Sequence, residues 1–534
     1  MKEYLPLRLL DVNDTKHGVV RVLPTETLDG HTRADYCALS HCWGGSLGSQ
    51  LTKDNLDAAM RGIQTSSLPQ TFQDAISATS GLGVRYLWID SLCIVQDDSA
   101  EWEMQSSKMG LVYANARCVI SATGSRDSAG GCFRPRRLNH HDCGIWQTVD
   151  KVLVACSTQK DQKVKQLFES LVENSPVTRR GWTFQERYLA SRMLHFCEGT
   201  VLFECCTMQA SEGMWQGERY TPKPVVQSTG GSHGSGQTVA VDAEPLPGRN
   251  TDSVWKKARS ALRGKGQKQK QSKVATVVET KEEEEKRNEA IRAAAARKGM
   301  RGALEYLWRF KGKELDEKFE FHNRWFEVVT EYSARQLTIA TDKGIAIAGV
   351  ASVIQQNTGL TYSAGLWKEM LPFNLLWLPS GDPGPRPARR TPSWSWTSVD
   401  GRVTHRLRDD WQSLSLLIFG ESLERIEMIG DLVHNATLRL RGQLRPLEPD
   451  NVHITFDVDA SFAVDQLYLL PGLVFRFAAS SHAVTFATLH GIVLHERRKS
   501  QGCYTRAGYF WSDHPTVVNR VWNSRQDTWE IEIV

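Results

Sequence analysis

A tryptophan and a glutamate lie four residues apart in the stretch RRGWTFQERYLASRMLHF. If this stretch is helical, Trp182 and Glu186 lie one turn apart on the same face of the helix. Glu186 is then either the carboxylate of an active site or a surface charge. As a surface charge it would pair with Arg180, Arg187 or Arg192, and exposed ion pairs of this kind contribute little to stability. The residues of this stretch leave both interpretations open.

Polar residues also lie at the ends of two predicted strands. The apolar run YCALSHCW ends at Gly44 and Gly45, which is typical of a strand that leads into a loop. The run RYLWIDSLCIV is apolar on both alternations except at Asp90 and Ser91, as expected of a strand buried on both faces. α/β sheets bind ligands in the loops at the carboxyl ends of their parallel strands. The predicted pocket residues are therefore Ser40, His41, Trp43, Gly44, Asp90 and Asp97.

Two of these residues have equally simple structural interpretations. Asp90 is either a carboxylate that orients a ligand or one that hydrogen-bonds the next loop. His41 is either a donor to a ligand or a core histidine whose ring nitrogens are satisfied by the protein.

The elements around these residues alternate between strands and helices. The segment SLPQTFQDAISATSGLG predicts a helix with a capping box formed by Ser67 and Gln70, which ends at Gly81. A second helix is predicted from Glu101 to Ala116, and CVISA predicts a third strand. This alternation predicts βαβ units and a parallel sheet.

Composition indicates an ordinary globular protein. The chain has 534 residues, of which 40% are apolar and 24% charged, with a net charge of +4. This charge is too small to indicate binding to nucleic acid or to a membrane, and no apolar stretch approaches the roughly 18 residues of a membrane span. The eleven irregularly spaced cysteines predict reduced thiols in a cytoplasmic protein.

The predicted organisation has three parts. Residues 1–215 form the α/β domain, and residues 216–300 form a low-complexity, charged linker or insert. The basic run from Lys256 to Lys273 in the linker has no interleaved aromatic residues, which favours a solvated segment over a nucleic-acid-binding one. Residues 301–534 form a C-terminal α+β region, β-rich at its end, to which the sequence assigns no role.

Weaker motifs predict no further activity. The G-x-S-x-G matches at Ser46 and Ser232 lack the strand and helix that a nucleophile elbow needs directly before and after the serine. The run NHHDC has no second pair of ligands at zinc-site spacing, so no metal site is predicted. Trp394 and Trp396, in PSWSWTS, are predicted to pack in the core on one side of a strand.

Four segments together closely resemble the HET domain of fungal heterokaryon-incompatibility proteins: YCALSHCWGG, LPQTFQDAISATSGLGVRYLWIDSLCIVQDD, EWEMQSSKMGLVYANARCVISAT and RGWTFQERYLASRMLHF. The resemblance covers a core of roughly residues 36–205. YSARQLTIATDKGIAIAGVAS, YSAGLWKE and TPSWSWTSVDG also look like the tail that accompanies this domain. The resemblance implies fungal allorecognition and the programmed cell death that follows fusion of incompatible hyphae. The sequence departs from the family pattern at Gln105, where a Glu often stands.

HET domains are in turn distantly similar to TIR domains, which implies a TIR-like, flavodoxin-like parallel sheet. Many TIR domains cleave NAD at the nicotinamide–ribose bond, using a Glu placed four residues after a Trp. The resemblance therefore implies that Glu186 is catalytic and that Trp182 lines the substrate pocket. NAD would be a substrate and not a cofactor, and activity would require self-association. The alternative is a non-catalytic signalling module that triggers death through partner proteins, including an incompatibility partner that the sequence does not identify.

Overall fold

The structure is a computed structural model. The structure describes residues 4–14, 17–28, 34–44, 49–134, 144–148, 151–155, 164–219, 300–312, 315–382, 384–387, 391–406, 415–421, 423–429, 436–448, 450–458, 462, 466–478, 485–497, 502–518 and 528–534. Almost all of the predicted linker, the basic run within it, both G-x-S-x-G serines and the NHHDC run lie outside these residues.

The N-terminal part contains twelve described strands. They are β1 (Arg8–Asp11), β2 (Val19–Pro24), β3 (Tyr36–Ser40), β4 (Ile63–Gln64), β5 (Tyr86–Trp88), β6 (Cys118–Ser121), β7 (Gly144–Thr148), β8 (Lys151–Ala155), β9 (Arg192–Phe196), β10 (Val201–Cys205), β11 (Met208–Ser211) and β12 (Met214–Arg219). The helices between them are α1 (Leu56–Arg61), α2 (Gln70–Gly81), α3 (Asp90–Cys93), α4 (Ser99–Ser106), α5 (Met109–Asn115), α6 (Val164–Leu167), which continues as a π-helical turn (Phe168–Val172), and α7 (Thr183–Tyr188). Short 3₁₀ turns span Thr25–Thr27 and Thr65–Ser67.

Ten of these strands form one mixed sheet in the order β12-β11-β10-β9-β6-β3-β5-β1-β2-β4. Its centre is parallel, because β3 pairs in parallel with β5 and β6, and β6 pairs in parallel with β9. The predicted parallel βαβ core is confirmed for β3, β5 and β6, and β9 extends it by a fourth parallel strand that was not predicted. The antiparallel strands on both flanks were not predicted. The chain passes from β3 to one neighbour and later returns to its other side at β6, so the carboxyl ends of β3 and β6 flank a switch in connection direction, where α/β sheets bind ligands.

Several predicted boundaries differ from the structure. The predicted long strand around Asp90 is only β5, and the chain turns into α3 at Asp90. The predicted second helix is divided into α4 and α5 at the turn after Ser106. α2 forms where predicted, but its capping box is wrong, because the Ser67 hydroxyl donates to the Gln64 carbonyl and Pro69 occupies the N-cap position without a side-chain cap.

The C-terminal part begins with three helices, α8 (Met300–Arg309), α9 (Leu315–Ser333) and α10 (Lys343–Thr358), and then becomes β-rich as predicted. Its strands are β13 (Tyr362–Ser363), β14 (Leu366–Trp367), β15 (Trp377–Pro379), β16 (Val403–His405), β17 (Ser415–Glu421), β18 (Glu424–Ile429), β19 (Thr437–Gly442), β20 (Arg445–Pro446), β21 (His453–Phe456), β22 (Leu467–Ala478), β23 (Thr485–Glu496), β24 (Cys503–Ser512) and β25 (Trp529–Ile533). Short 3₁₀ turns span Ala340–Asp342, Lys368–Met370, Phe373–Leu375 and Trp396–Ser398.

One hydrophobic core extends from the N-terminal domain into the C-terminal helices. Phe184 and Tyr188 of α7 are buried in the same cluster as Trp325 of α9 and Val350 of α10. Trp394 and Trp396 are also fully buried in this cluster, although they lie in and before a 3₁₀ turn and not on a strand. The helix that carries Glu186 therefore contributes to the core of the C-terminal helices as well as to its own domain.

Two predictions about the chain as a whole can be compared with the described residues. The nine cysteines among them are all free thiols. None of the described helices is long and apolar enough to cross a membrane.

Candidate functional site

Glu186 lies in the interior of the protein and not on a helix surface. Its side chain belongs to α7, a helix in which every residue is buried, and Glu186 itself is only 3% exposed. Of the arginines considered from the sequence, Arg187 pairs with Glu173 and Glu204, and Arg192 is an exposed residue of β9. Arg180 is half-buried and acts electrostatically on Glu186 inside the protein. The structure therefore excludes the interpretation of Glu186 as a solvated surface charge.

The burial of Glu186 changes its charge state. The pKa of Glu186 is raised to about 7, mainly by burial and to a lesser extent by the Asp90 carboxylate, against the opposing effects of the Arg180 guanidinium and the hydroxyls of Ser40 and Tyr113. Ser40 Oγ and Glu186 Oε2 nevertheless complete no hydrogen bond with any described residue. At neutral pH the carboxyl group therefore lies near the midpoint of its titration and has an oxygen available to a ligand.

The loop after β3 supplies the second part of the site. Ser40 ends β3 and is fully buried. His41 follows it, with its ring edge-on to Phe72 at a centroid separation of 5.1 Å and its carbonyl accepting a hydrogen bond from Arg180 Nη1. Burial lowers the pKa of His41 to about 4, so the imidazole is neutral at physiological pH. Its Nε2 has no partner among the described residues, so His41 is not a fully satisfied core histidine.

The third part of the site begins where β5 ends. Asp90 Oδ2 accepts a hydrogen bond of 2.8 Å from the indole nitrogen of Trp43, and Asp90 Oδ1 accepts one of 2.8 Å from the backbone of Ser91. The two loops are thus joined by a side-chain contact between Trp43 and Asp90. Ser91 Oγ is buried and has no partner among the described residues.

Five buried polar atoms in these segments therefore have no hydrogen-bond partner among the described residues: Ser40 Oγ, His41 Nε2, Ser91 Oγ, Gln185 Nε2 and Glu186 Oε2. A buried polar group left unpaired costs about 1–3 kcal/mol. Native proteins contain few such groups, and several at one edge of a sheet are expected where a ligand supplies the missing partners. A carboxylate, a neutral imidazole and two hydroxyls are suited to bind a polar ligand that carries hydroxyl groups and positive charge.

The remaining predicted residues have other contacts. Gly44 has a left-handed backbone with φ of +72°, and a Cβ there would lie 2.5 Å from Asp127 Cβ. Asp97 is exposed, and its Oδ1 accepts a 2.9 Å hydrogen bond from the Lys53 backbone. The Trp182 indole nitrogen donates to Asp342 Oδ2 at 3.1 Å. None of the contacts described for Asp97 or Trp182 joins them to Ser40, His41 or Glu186.

Sequence reasoning missed two residues that act on Glu186, and a third, Asp342, that binds Trp182. Arg180 was considered only as a surface partner, although it lowers the pKa of Glu186 and hydrogen-bonds the His41 carbonyl. Tyr113 was predicted only as an apolar position, yet its hydroxyl donates to the Leu39 carbonyl at 3.1 Å and lies next to the carboxylate. Asp342 lies outside the predicted domain, and no local motif marks it. Of these residues, Tyr113 was the easiest to find from the sequence, because it places a hydroxyl on the predicted buried face of a helix.

No group of three or more His, Cys, Asp or Glu side chains among the described residues is arranged to hold a metal ion. The candidate site thus consists of the buried Glu186 carboxyl group and of unpaired polar atoms that follow the parallel strands β3 and β5, in a mixed α/β domain. Residues 36–186 match the family model described as heterokaryon incompatibility protein (HET). The chain therefore carries a HET domain, and this domain supports a role in heterokaryon incompatibility. No curated protein and no solved structure matches the chain.

Proposed function

We propose that the HET domain cleaves NAD at the nicotinamide–ribose bond, and that this reaction drives cell death in fungal non-self recognition. The observation that carries the proposal is the buried Glu186 carboxyl group, whose Oε2 has no partner and whose pKa is raised by burial to about 7. Strongly perturbed carboxyl groups beside unpaired polar atoms are characteristic of active sites.

The proposed reaction needs one carboxylate. The C–N bond between nicotinamide and ribose breaks, its electron pair leaves with nicotinamide as a neutral molecule, and positive charge develops on the ribose. The Glu186 carboxylate stabilises this oxocarbenium-like sugar, as carboxylates do in glycoside hydrolysis. Water then adds to the sugar carbon and releases a proton, giving ADP-ribose. No general acid is required, because the leaving group takes up no proton.

The other residues of the site have roles that fit this chemistry. Arg180 favours the ionised form of Glu186, and the positive charge of the bound nicotinamide ring favours it further. Ser40 and neutral His41 offer unpaired groups to the ribose hydroxyls. Asp90, held by Trp43, fixes the second loop of the pocket.

The strand order supports a TIR-like fold for this domain. The parallel strands β3, β5, β6 and β9 are, in chain order, the first to the fourth, and they lie in the order second, first, third, fourth. This is the beginning of the order 2-1-3-4-5 of doubly wound, flavodoxin-like sheets. Trp182 precedes Glu186 by four residues, as in the TIR pattern, and stays part of the proposal as a residue that shapes the pocket through the position of α7.

The proposal includes self-association in the cytoplasm, because TIR-type sites are often completed by a neighbouring subunit. The alternative, a non-catalytic module that acts through an incompatibility partner, is one outcome of the test.

Purified protein at high concentration is incubated with NAD, and nicotinamide release is measured for wild type, Glu186→Gln and the control Glu103→Gln, which changes an exposed Glu of α4. Turnover in wild type and Glu103→Gln but not in Glu186→Gln supports the proposal. Equal turnover in all three moves the chemistry away from Glu186. No turnover in self-associated wild type favours the non-catalytic module.

A further inference from the structure

The helix that carries Glu186 is in contact with residues 331–349 of the C-terminal part along most of its length. These residues comprise the end of α9, the connecting turn and the start of α10, and they are called the clamp segment below. The clamp segment lies far along the chain from α7 and outside residues 36–186, which match the HET family model.

The backbone before α7 is fixed by the clamp segment on both sides of Arg180. The Gln336 amide donates to the Arg179 carbonyl at 2.6 Å, and the Gly181 amide donates to the Gln336 carbonyl at 2.7 Å. A Cβ on Gly181 would lie 2.5 Å from a methyl carbon of Leu337, so the two chains touch directly. These two hydrogen bonds fix the backbone of Arg180, whose charge lowers the pKa of Glu186, against the C-terminal part.

Side chains at both ends of α7 are bound to the same segment. The Trp182 indole nitrogen donates to Asp342 at 3.1 Å, and the Tyr188 hydroxyl donates to Glu331 at 2.8 Å. The Arg335 guanidinium lies over the Phe184 ring, 4.9 Å from its centroid, and donates to the Thr183 hydroxyl at 3.3 Å.

The middle of α7 is fixed by close packing. Gln185, adjacent to Glu186, packs beside the point where Gly110 of α5 and Gly349 of α10 approach each other. A Cβ on Gly349 would lie 2.1 Å from Gln185 Oε1, a distance at which the Gln185 side chain must move. The close approach of α10 to α5 and α7 thus depends on the absence of a side chain at position 349.

We propose that the clamp segment is a positioning element of the HET-domain site, which holds Arg180 in place beside the buried Glu186 carboxylate. The C-terminal part then has a defined role: a change in its packing on α7 changes the environment of Glu186. Asp342 and Gly349 are positioning residues, because they act through Trp182 and Gln185 and do not touch the carboxylate. This inference concerns the site named in the proposed function, but it does not depend on the reaction that occurs there.

The test measures the pKa of Glu186 and not activity, so that it is separate from the test of NAD cleavage. The free energy of unfolding is measured against pH in each background with and without Glu186→Gln, and the difference between the two curves gives the Glu186 titration. The backgrounds are wild type, Asp342→Ala, Asp342→Asn, Gly349→Ala and the control Gly384→Ala, where a Cβ meets no atom within 4 Å.

The proposed positioning role predicts how the pKa of Glu186 differs between these backgrounds. Asp342→Ala and Gly349→Ala are expected to shift the Glu186 pKa by about one unit or more toward its value in water, because a displaced α7 admits solvent to the carboxyl group. Asp342→Asn retains an acceptor for Trp182 and is expected to restore the wild-type value, as is Gly384→Ala. If the pKa stays unchanged in all backgrounds while stability falls, the segment only stabilises the fold and the proposal is wrong. A shifted pKa in a protein that does not cleave NAD leaves the positioning role standing and removes the proposed reaction.

Discussion

Glu186 and Arg187 are consecutive residues of α7, and both are buried, but only Arg187 has a full set of partners. Arg187 Nε donates to Glu204 at 2.6 Å, and its two terminal nitrogens donate to Glu173 at 3.0 and 2.9 Å. Burial alone would lower the pKa of Arg187, but Glu204, with Tyr188 and Glu173, holds it well above its usual value. Glu186 Oε2 has no partner among the described residues. The helix is thus anchored through one residue and leaves its neighbour available for a ligand.

Arg187→Met is expected to lower the free energy of unfolding by about 3–5 kcal/mol, because it leaves the Glu204 carboxylate buried without its main partner. Chemical denaturation of wild type and variant measures this difference. Arg192→Met removes an arginine from an exposed position of β9 and is the matched control, with an expected change within about 0.5 kcal/mol. Equal losses in the two variants would show that the buried ion pair does not anchor α7.

Glu186 and His41 are expected to give opposite dependences of stability on pH. Glu186 has a pKa of about 7 in the folded protein against 4.5 when unfolded, so the folded state binds the extra proton between these values and stability falls as pH rises. His41 has a pKa of about 4 folded against 6.5 unfolded, so the unfolded state binds the extra proton and stability rises with pH. Each shift corresponds to roughly 3 kcal/mol.

The two contributions largely cancel in the wild type and separate in single variants. Relative to wild type, Glu186→Gln is expected to gain stability as pH rises from 4.5 to about 7, and His41→Gln is expected to lose it over the range from about 4 to 6.5. Denaturation curves recorded across this range measure both slopes. Parallel curves for all three proteins would mean that neither group is buried in solution.

The parallel core of the HET domain was predictable because buried strands and amphipathic helices have distinct periodicities. The flanking strands were not, since short strands such as β1 and β4 have too few residues for a periodic signal. The burial of Glu186 was also hidden: Gln185, Glu186 and Arg187 are three consecutive polar residues, a pattern typical of an exposed helix face. Arg187 is paired in the interior by Glu204 and Glu173, and residues 331–349 pack against the rest of α7. These partners are distant along the chain, so the local sequence does not indicate them.

Arg180 is expected to set the pH range in which the site cleaves NAD, if the proposed reaction occurs. Its charge lowers the pKa of Glu186, so Arg180→Gln should raise that pKa and shift the acid limb of the pH–rate profile upward by about one unit. Arg180→Lys retains the charge and should keep most of the wild-type profile. The rate of nicotinamide release against pH measures the shift. An unshifted profile in Arg180→Gln would mean that the limb reports a group other than Glu186.

Gly44→Ala tests how closely the loops after β3 and β6 must approach. Gly44 and Gly83 both have left-handed backbones, with φ of +72° and +68°, so alanine at either position costs about 1–2 kcal/mol of backbone strain. Only at Gly44 does the added Cβ meet another residue, since it lies 2.5 Å from Asp127 Cβ, whereas Gly83 has no atom within 4 Å.

Gly44→Ala should therefore lower the free energy of unfolding by about 1–3 kcal/mol more than Gly83→Ala, the added cost of overpacking. The loop after β3 must also move, which displaces Trp43 from Asp90 and changes the environment of the Trp43 indole. Denaturation measures the first effect, and tryptophan fluorescence of the folded variant against a Trp43→Phe background measures the second. Equal destabilisation by the two alanines would mean that the loop after β6 can move away from position 44 at little cost in free energy. The pocket would then be shaped by the ligand and not by the packing of Gly44 on Asp127.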